Sequence, residues 1–385
     1  MVELIIVVTC LFCDDESISV SGHCPVPLQS ALGFLDHPFC LASGKLFFSS
    51  AKKFYFFIIF PRCSQPNVFT QGNTDFFFAD LEFVTVDASI KTLTDAYNRY
   101  RGIIFPHTAK TGNAKNFNVN VKVADPSEAY PQLKTDESYE LDIQDQADVT
   151  VSARTVYGAL RAIETLSQLV IFDFDSRSYF IPASPIHIED SPRYFHRGLL
   201  LDTARHFQPI SFLKSTIDSL SYAKYNVLHW HVVDEQSFPF ESRTYPDLWK
   251  GSYSAEERYT QEDMQELVEY GRQRGVKIMI EFDMPGHAAS WCAGYPSICP
   301  SDVCKMPLNP ASNLTFPLIT SLLSECTGAG SGKPGLFPYT LLHLGGDEVS
   351  YKCWTVNSDI QAWEAENGLN GSEGNRKQFS RIRRL

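Results

Sequence analysis

The sequence predicts an α/β protein, a small α+β unit followed by a parallel sheet of strand–helix repeats, and three observations predict it. Beyond Arg193, apolar runs of five to eight residues alternate with amphipathic helical segments. The runs lack polar alternation, as strands buried on both faces do. Ionisable residues gather just past the C-terminal end of each run, the edge where barrels of such units build their active sites.

Taken in order, Leu4 to Cys13 (LIIVVTCLFC) has the length of a signal-peptide hydrophobic region and is too short to span a bilayer. Residues 1–20 are read as a secretory signal, with Glu3 where a positive residue is usual and no clear small-x-small cleavage site. Phenylalanine then dominates, with 14 of the chain's 28 before residue 86. This stretch, read as residues 21–85, shows no sustained period of two or 3.6 and is either a buried strand or two or sequence that does not belong to the fold. Its most apolar uncharged piece, Phe54 to Pro61, is too short to form a transmembrane helix.

Residues 86–190 are read as an α+β domain. Asn116 to Val123 alternates as a half-buried strand, and Glu137–Leu141 with Asp148–Ser152 resembles a hairpin pair. Val156, Leu160, Ile163, Leu166 and Leu169 share one helical stripe, and the unit closes near Pro185. Residues 191–372 carry the repeats: strands at His196–Asp202, Asn226–Val233, Lys277–Phe282 and Thr340–Leu344, and helices at Pro209–Lys224, Gln261–Arg274 and Ser358–Asn367. Four such units are half of an eight-unit barrel. Residues 373–385 form a basic tail outside the pattern.

Lys and Arg total 33 against 45 Asp and Glu, a net charge of −12, the wrong sign for wrapping a phosphate backbone. Ten cysteines, five up to Cys63 and five from Cys292, join two glycosylation sequons at Asn313 and Asn370. Together with the apolar N-terminus they point to the secretory pathway, and to a vacuolar, lysosomal or extracellular destination.

The strand ends supply Asp202 and Arg205, Asp234 and Glu235, Asp283 and His287, and Asp347 and Glu348. In the turn Gly345-Gly346-Asp347-Glu348 the glycines let the backbone bend sharply beside a ligand. An Asp234–His287–Glu348 chain would keep a carboxylic acid protonated near neutral pH, as protonation of a leaving group requires. Asp347, pointing the other way, would contact another part of the substrate. Arg197 either holds ligand hydroxyls or pairs with a neighbouring acid. A rival reading comes from His229 and His231, two apart on one strand face: with His287, His343 and Asp347 they assemble on paper into a barrel metallohydrolase.

The segments HRGLLLDTARHF (196–207), YAKYNVLHWHVVDEQSFPFES (222–242), EFDMPGHAASW (281–291) and HLGGDEV (343–349) closely resemble glycoside hydrolase family 20, the β-N-acetylhexosaminidases of the eukaryotic lysosomal and plant type. The resemblance runs from about Asn116 to Gly371 and implies a (β/α)8 TIM-type barrel preceded by a small α+β domain. It implies removal of terminal β-linked N-acetylglucosamine or N-acetylgalactosamine from N-glycans, chitooligosaccharides or glycolipids, with retention and without cofactor or metal. By position Glu348 resembles the general acid, Asp347 the residue facing the substrate's acetamido group, Arg197 the ligand for sugar hydroxyls, and Asp234 and His287 the pair tuning the acid. The family also implies a Cys304–Cys353 disulfide and a dimer in the complete form.

Family members continue for about four more strands, whereas here the pattern decays after Gly371, and the Phe-rich stretch stands where the family has a polar strand, so against the resemblance it reads as foreign to the fold. The expectation is therefore a truncated form, inactive or unstable alone. A non-catalytic glycan-binding fragment is the alternative.

Overall fold

The computed structural model describes residues 7–9, 66–78, 80–85, 89–109, 117–144 and 148–369. A short strand β1 (Val7–Thr9) is followed by β2 (Val68–Phe78), β3 (Leu81–Thr85), helix α1 (Lys91–Ile104), β4 (Phe117–Asp125), β5 (Tyr139–Ile143), β6 (Val149–Thr155), α2 (Val156–Leu169), β7 (Ile171–Asp173) and β8 (Ser178–Asp190). The strands from β2 onward make one seven-stranded mixed sheet in the order β2-β8-β5-β6-β4-β3, with β7 on β8. The expected β5–β6 pair is antiparallel, with Leu141 opposite Val151. Its core is formed by Leu93 and Ala96 of α1 and Ile163 and Leu166 of α2, buried with Val119, Leu141, Val151 and Ile188 of the strands.

This sheet corrects the reading of residues 21–85 as foreign, because residues 68–78 and 81–85 are strands within it. Phe76 and Phe78 are buried and pair with Ile181 and Tyr179, while Phe77 faces solvent. Three identical side chains therefore serve two faces, so no polarity contrast marks the strand. Residues 10–65 lie outside the described residues. Helix α1 also escaped the sequence reading. Its first turn has no local side-chain cap; instead Glu128, 36 residues on, accepts from Thr92 N at 2.6 Å.

The second unit contains β9 (Gly198–Asp202), α3 (Ile210–Tyr222), β10 (Val227–Val233), α4 (Gln261–Arg272), β11 (Lys277–Phe282), α5 (Thr315–Thr327), α6 (Lys352–Val356) and α7 (Ser358–Glu366). Strands β9, β10 and β11 are parallel and joined by α3 and α4, the βαβ arrangement expected of continuous apolar runs. Trp230, Val232, Ile278, Ile280 and Phe282 pack against Leu213 and Ile217 of α3 and Met264 and Leu267 of α4. Helix α4 opens with a capping box between Thr260 and Asp263. The fourth expected strand, residues 340–344, runs beside β11 without becoming regular: His343 N donates to Ile280 O, and His343 O and Leu344 O accept from Phe282 N and Met284 N. On the far edge β1, inside the segment read as a signal, lies antiparallel against β9 and pairs the backbone groups that edge exposes.

The two units meet around Glu137. Its buried carboxylate takes Arg161 Nε at 2.8 Å, Asn226 Nδ2 at 2.6 Å and Arg197 Nη2. Burial opposes this charge, but Arg161, Arg197 and Lys277 outweigh it and lower the Glu137 pKa to about 2. Arg272 Nη1 crosses to Thr92 Oγ1 and Glu128 O at 2.9 and 3.0 Å. This interface corrects the sugar-binding expectation for Arg197. The residue precedes β9, at the N-terminal end of the sheet, and its guanidinium also donates to Lys224 O and Tyr194 O at 2.8 and 2.7 Å. Of the two readings of its buried charge, pairing with a neighbouring acid is the one realised.

Candidate active site

Parallel strands deliver their last residues to one edge, and here that edge collects Asp202 and Arg205, Asp234, Asp283, His287, Asp347 and Glu348. Asp234 follows β10 and is fully buried. Its Oδ2 lies 2.7 Å from His231 Nε2 and 2.8 Å from Arg205 Nη2, and its Oδ1 lies 3.2 Å from His287 Nδ1 and accepts Glu235 N at 2.6 Å. Burial raises the Asp234 pKa, yet the His231 hydrogen bond and its other donors prevail and lower it. His287, at a φ of +52°, turns its other ring nitrogen toward the acidic turn: Nε2 is 3.5 Å from Glu348 Oε2 and 3.7 Å from Asp347 Oδ2. Burial disfavours its imidazolium, but Asp234, Asp283 and Asp347 more than compensate and its pKa is raised. The expected line Asp234–His287–Glu348 is thus present, with Asp347 beside it.

Gly345, at a φ of +58°, lies so close to the end of β11 that a Cβ would overlap Asp283 Oδ1, and Gly346 N donates to that same oxygen at 2.8 Å. The two glycines therefore press the turn onto Asp283. Asp347 and Glu348 remain outward, with side chains 66% and 81% exposed.

Two residues at this edge carry no signal in the sequence beyond being polar groups at strand ends. Arg205 bridges Asp202 Oδ2 and Asp234 Oδ2, each at 2.8 Å, and stands eight residues beyond Arg197, at the opposite end of β9. Asp283 is buried, and desolvation together with the hydrogen bond and charge of Asp347 raises its pKa to about 7. Carboxyls at this one edge are thus pushed in opposite directions, Asp283 up and Asp234 down.

His229 and His231 share a face, as their spacing predicts, and both reach Glu281 Oε2, at 2.7 and 2.8 Å, while His343 Nδ1 reaches Oε1 at 2.7 Å. Among the described residues three groups have ligand atoms close enough to hold a cation: His229–Glu281–His343, His231–Asp234–Asp283 and Asp283–His287–Asp347. The carboxylates of Glu281 and Asp234 are already hydrogen-bonded to imidazole, guanidinium or backbone donors.

Cys304 and Cys353, the pair implied by the family, are joined, fastening α6 just beyond the acidic turn; Cys292 and Cys299 form a second disulfide. Asn313 is exposed two residues before α5. Asn370 lies outside the described residues, as does the basic tail. Among the described residues no helix is long and apolar enough to cross a membrane.

A family described as "Glycosyl hydrolase family 20, catalytic domain" matches residues 194–384, and one described as "beta-acetyl hexosaminidase like" matches residues 49–169. The chain belongs to glycoside hydrolase family 20. The first match runs into the basic tail, and the second begins inside the Phe-rich segment. Among relatives, Beta-hexosaminidase 1 of Arabidopsis thaliana is 44% identical over 286 residues, covering 70% of this chain and 51% of the relative. Beta-hexosaminidase subunit beta of Homo sapiens is 37% identical over 322 residues, covering 79% and 56%. The X-ray structure of Flavobacterium johnsoniae chitobiase aligns with a TM-score of 0.67 at 28% identity, over 82% of this chain and 49% of that one. The fold is accordingly the family 20 α/β architecture, an α+β domain followed by units of a TIM-type barrel. The chain spans about half the length of the curated relatives it matches.

Proposed function

We propose that the chain hydrolyses terminal β-linked N-acetylhexosaminides by substrate-assisted, retaining catalysis. The observation that carries this reading is the line from Asp234 through His287 to Glu348, with Asp347 beside it, at the C-terminal edge of a parallel sheet in a family 20 chain. Glu348 donates a proton to the glycosidic oxygen while the substrate's own acetamido oxygen attacks the anomeric carbon. The C–O bond to the leaving group breaks as the new C–O bond forms, and the positive charge on the cyclised amide lies against Asp347. Glu348, now a carboxylate, takes a proton from the water that reopens the ring. Arg205, at the reacting edge, replaces Arg197 as the guanidinium available to sugar hydroxyls.

The exposure of Asp347 and Glu348 favours a second reading, in which the chain binds a terminal N-acetylhexosamine without cleaving it. Assay of the purified chain with a chromogenic β-N-acetylglucosaminide, alongside Glu348→Gln and a chelator, separates the readings. Turnover abolished by Glu348→Gln and indifferent to chelation supports the hydrolase; binding without turnover supports the alternative; turnover that survives Glu348→Gln and is lost on chelation supports a metallohydrolase. We place the chain in the secretory pathway, toward a vacuole, lysosome or the exterior, on the strength of the two disulfides among the described residues and exposed Asn313. N-glycans, chitooligosaccharides and glycolipids are the substrate classes proposed. A dimer of the complete form is proposed from relatives named as subunits.

A further inference from the structure

Behind the reacting edge a second row of ionisable groups crosses the interior face of the parallel strands. Glu281 gathers His229, His231 and His343, and of these His231 reaches onward, its Nδ1 2.8 Å from Glu281 Oε2 and its Nε2 2.7 Å from Asp234 Oδ2. A neutral imidazole has one N–H, so one ring nitrogen would then turn a lone pair on a carboxylate oxygen at hydrogen-bond distance. An imidazolium donates to both. The side chain is 7% exposed, so water does not substitute for either acceptor.

We propose that His231 is a positioning residue for the hydrolysis, a standing imidazolium that Glu281 anchors and that fixes Asp234 as a carboxylate, limiting the negative charge Asp234 passes to His287 and hence to Glu348. The proposal rests on the hexosaminidase reading of the site. Asp234 divides its charge among His231, Arg205 and His287, all on its two oxygens. Removing the His231 charge leaves more of it for His287, which then holds its proton more tightly and makes Glu348 the stronger, earlier-ionising acid. The groups facing His231 agree with a retained proton. Asp202 and Arg205 approach from the end of β9, Glu281 and Asp283 from β11, His343 from the segment beside it, His229 from its own strand, and Asp234 and His287 from the loops. Burial works against the charge, but the bonds to Asp234 and Glu281 carry the His231 pKa up to about 10, and Glu281 is held well below the usual carboxylate range.

The test uses the intact chain, with Glu281→Gln to remove the anchoring charge and Glu281→Asp to keep it. Nitrogen NMR of ring-labelled histidine at about pH 8 reads the His231 protonation state directly. Both nitrogens protonated in the parent and in Glu281→Asp, with only one protonated in Glu281→Gln, is the expected result. Kinetics give the second readout. Glu281→Gln should lower turnover of an alkyl β-N-acetylglucosaminide about tenfold more than that of the dinitrophenyl glycoside, whose leaving group needs little acid help. It should also move the alkaline limb of the rate profile to lower pH, with KM held within about twofold, and Glu281→Asp should restore the parent profile. A singly protonated His231 in the parent overturns the proposal, as does a Glu281→Gln loss equal on both substrates with an unmoved alkaline limb. Absence of turnover in the parent refutes the hydrolase reading and the positioning role with it; the nitrogen spectrum still decides the charge.

Discussion

Replacing Glu137 with Gln is expected to loosen the joint between the two units. The carboxylate is 6% exposed and bonded to Arg161 and Arg197, with Asn226 completing the set. Its pKa falls from an ordinary 4.5 to about 2 on folding. That difference of about 2.5 units, at 1.36 kcal/mol each, is worth about 3 kcal/mol, the scale on which removal of one partner from a buried ion pair destabilises a protein. The sign follows from proton binding. Between pH 4.5 and about 2 the unfolded chain holds the proton and the folded chain does not. The contribution is therefore complete above about pH 4.5 and lost as pH falls toward about 2. Urea denaturation of parent and Glu137→Gln should differ by about 3 kcal/mol at about pH 7 and converge in acid. A gap below about 0.5 kcal/mol at neutral pH, or one that persists unchanged at about pH 2, would refute the reasoning.

Other substitutions probe the site and its supports. Arg205→Met should reduce kcat/KM by about 10²-fold, whereas Arg197→Met should cost stability and leave kcat/KM of the folded protein within about twofold; steady-state kinetics with a denaturation curve check both. Gly345→Ala should cost about 1–3 kcal/mol and depress turnover, since it joins a left-handed φ to a clash with Asp283, while Gly330→Ala, equally left-handed at +73° but with open space around it, should cost less. Cys304→Ser with Cys353→Ser opens a loop of sequence separation 49 and should cost about 4 kcal/mol against about 2 for the separation of 7 closed by Cys292 and Cys299, read by thermal unfolding.

The parallel strands were legible because burial on both faces writes itself as an uninterrupted apolar run, as in Val227–Val233 and Lys277–Phe282. Residues 68–78 were not legible, because most of that edge strand is exposed and its buried end alternates among three phenylalanines. Helix α1 was hidden by a cap that arrives from Glu128 through the tertiary fold. At the site, Asp234, His287, Asp347 and Glu348 followed from the rule that strand C-termini share an edge. By the same rule Arg197, which stands before β9, lies at the wrong end of the strand, and Arg205, past its end, is the arginine the edge receives. Asp283 and the Glu281 cluster depend on which side chains face one another across strands, a register that single-strand patterns do not carry.

Release of nitrophenol from 4-nitrophenyl β-N-acetylglucosaminide by the purified chain tests the central claim most directly. The account predicts turnover that falls by about 10²-fold or more in Glu348→Gln. No release by the parent chain, or equal rates from parent and Glu348→Gln, would contradict it.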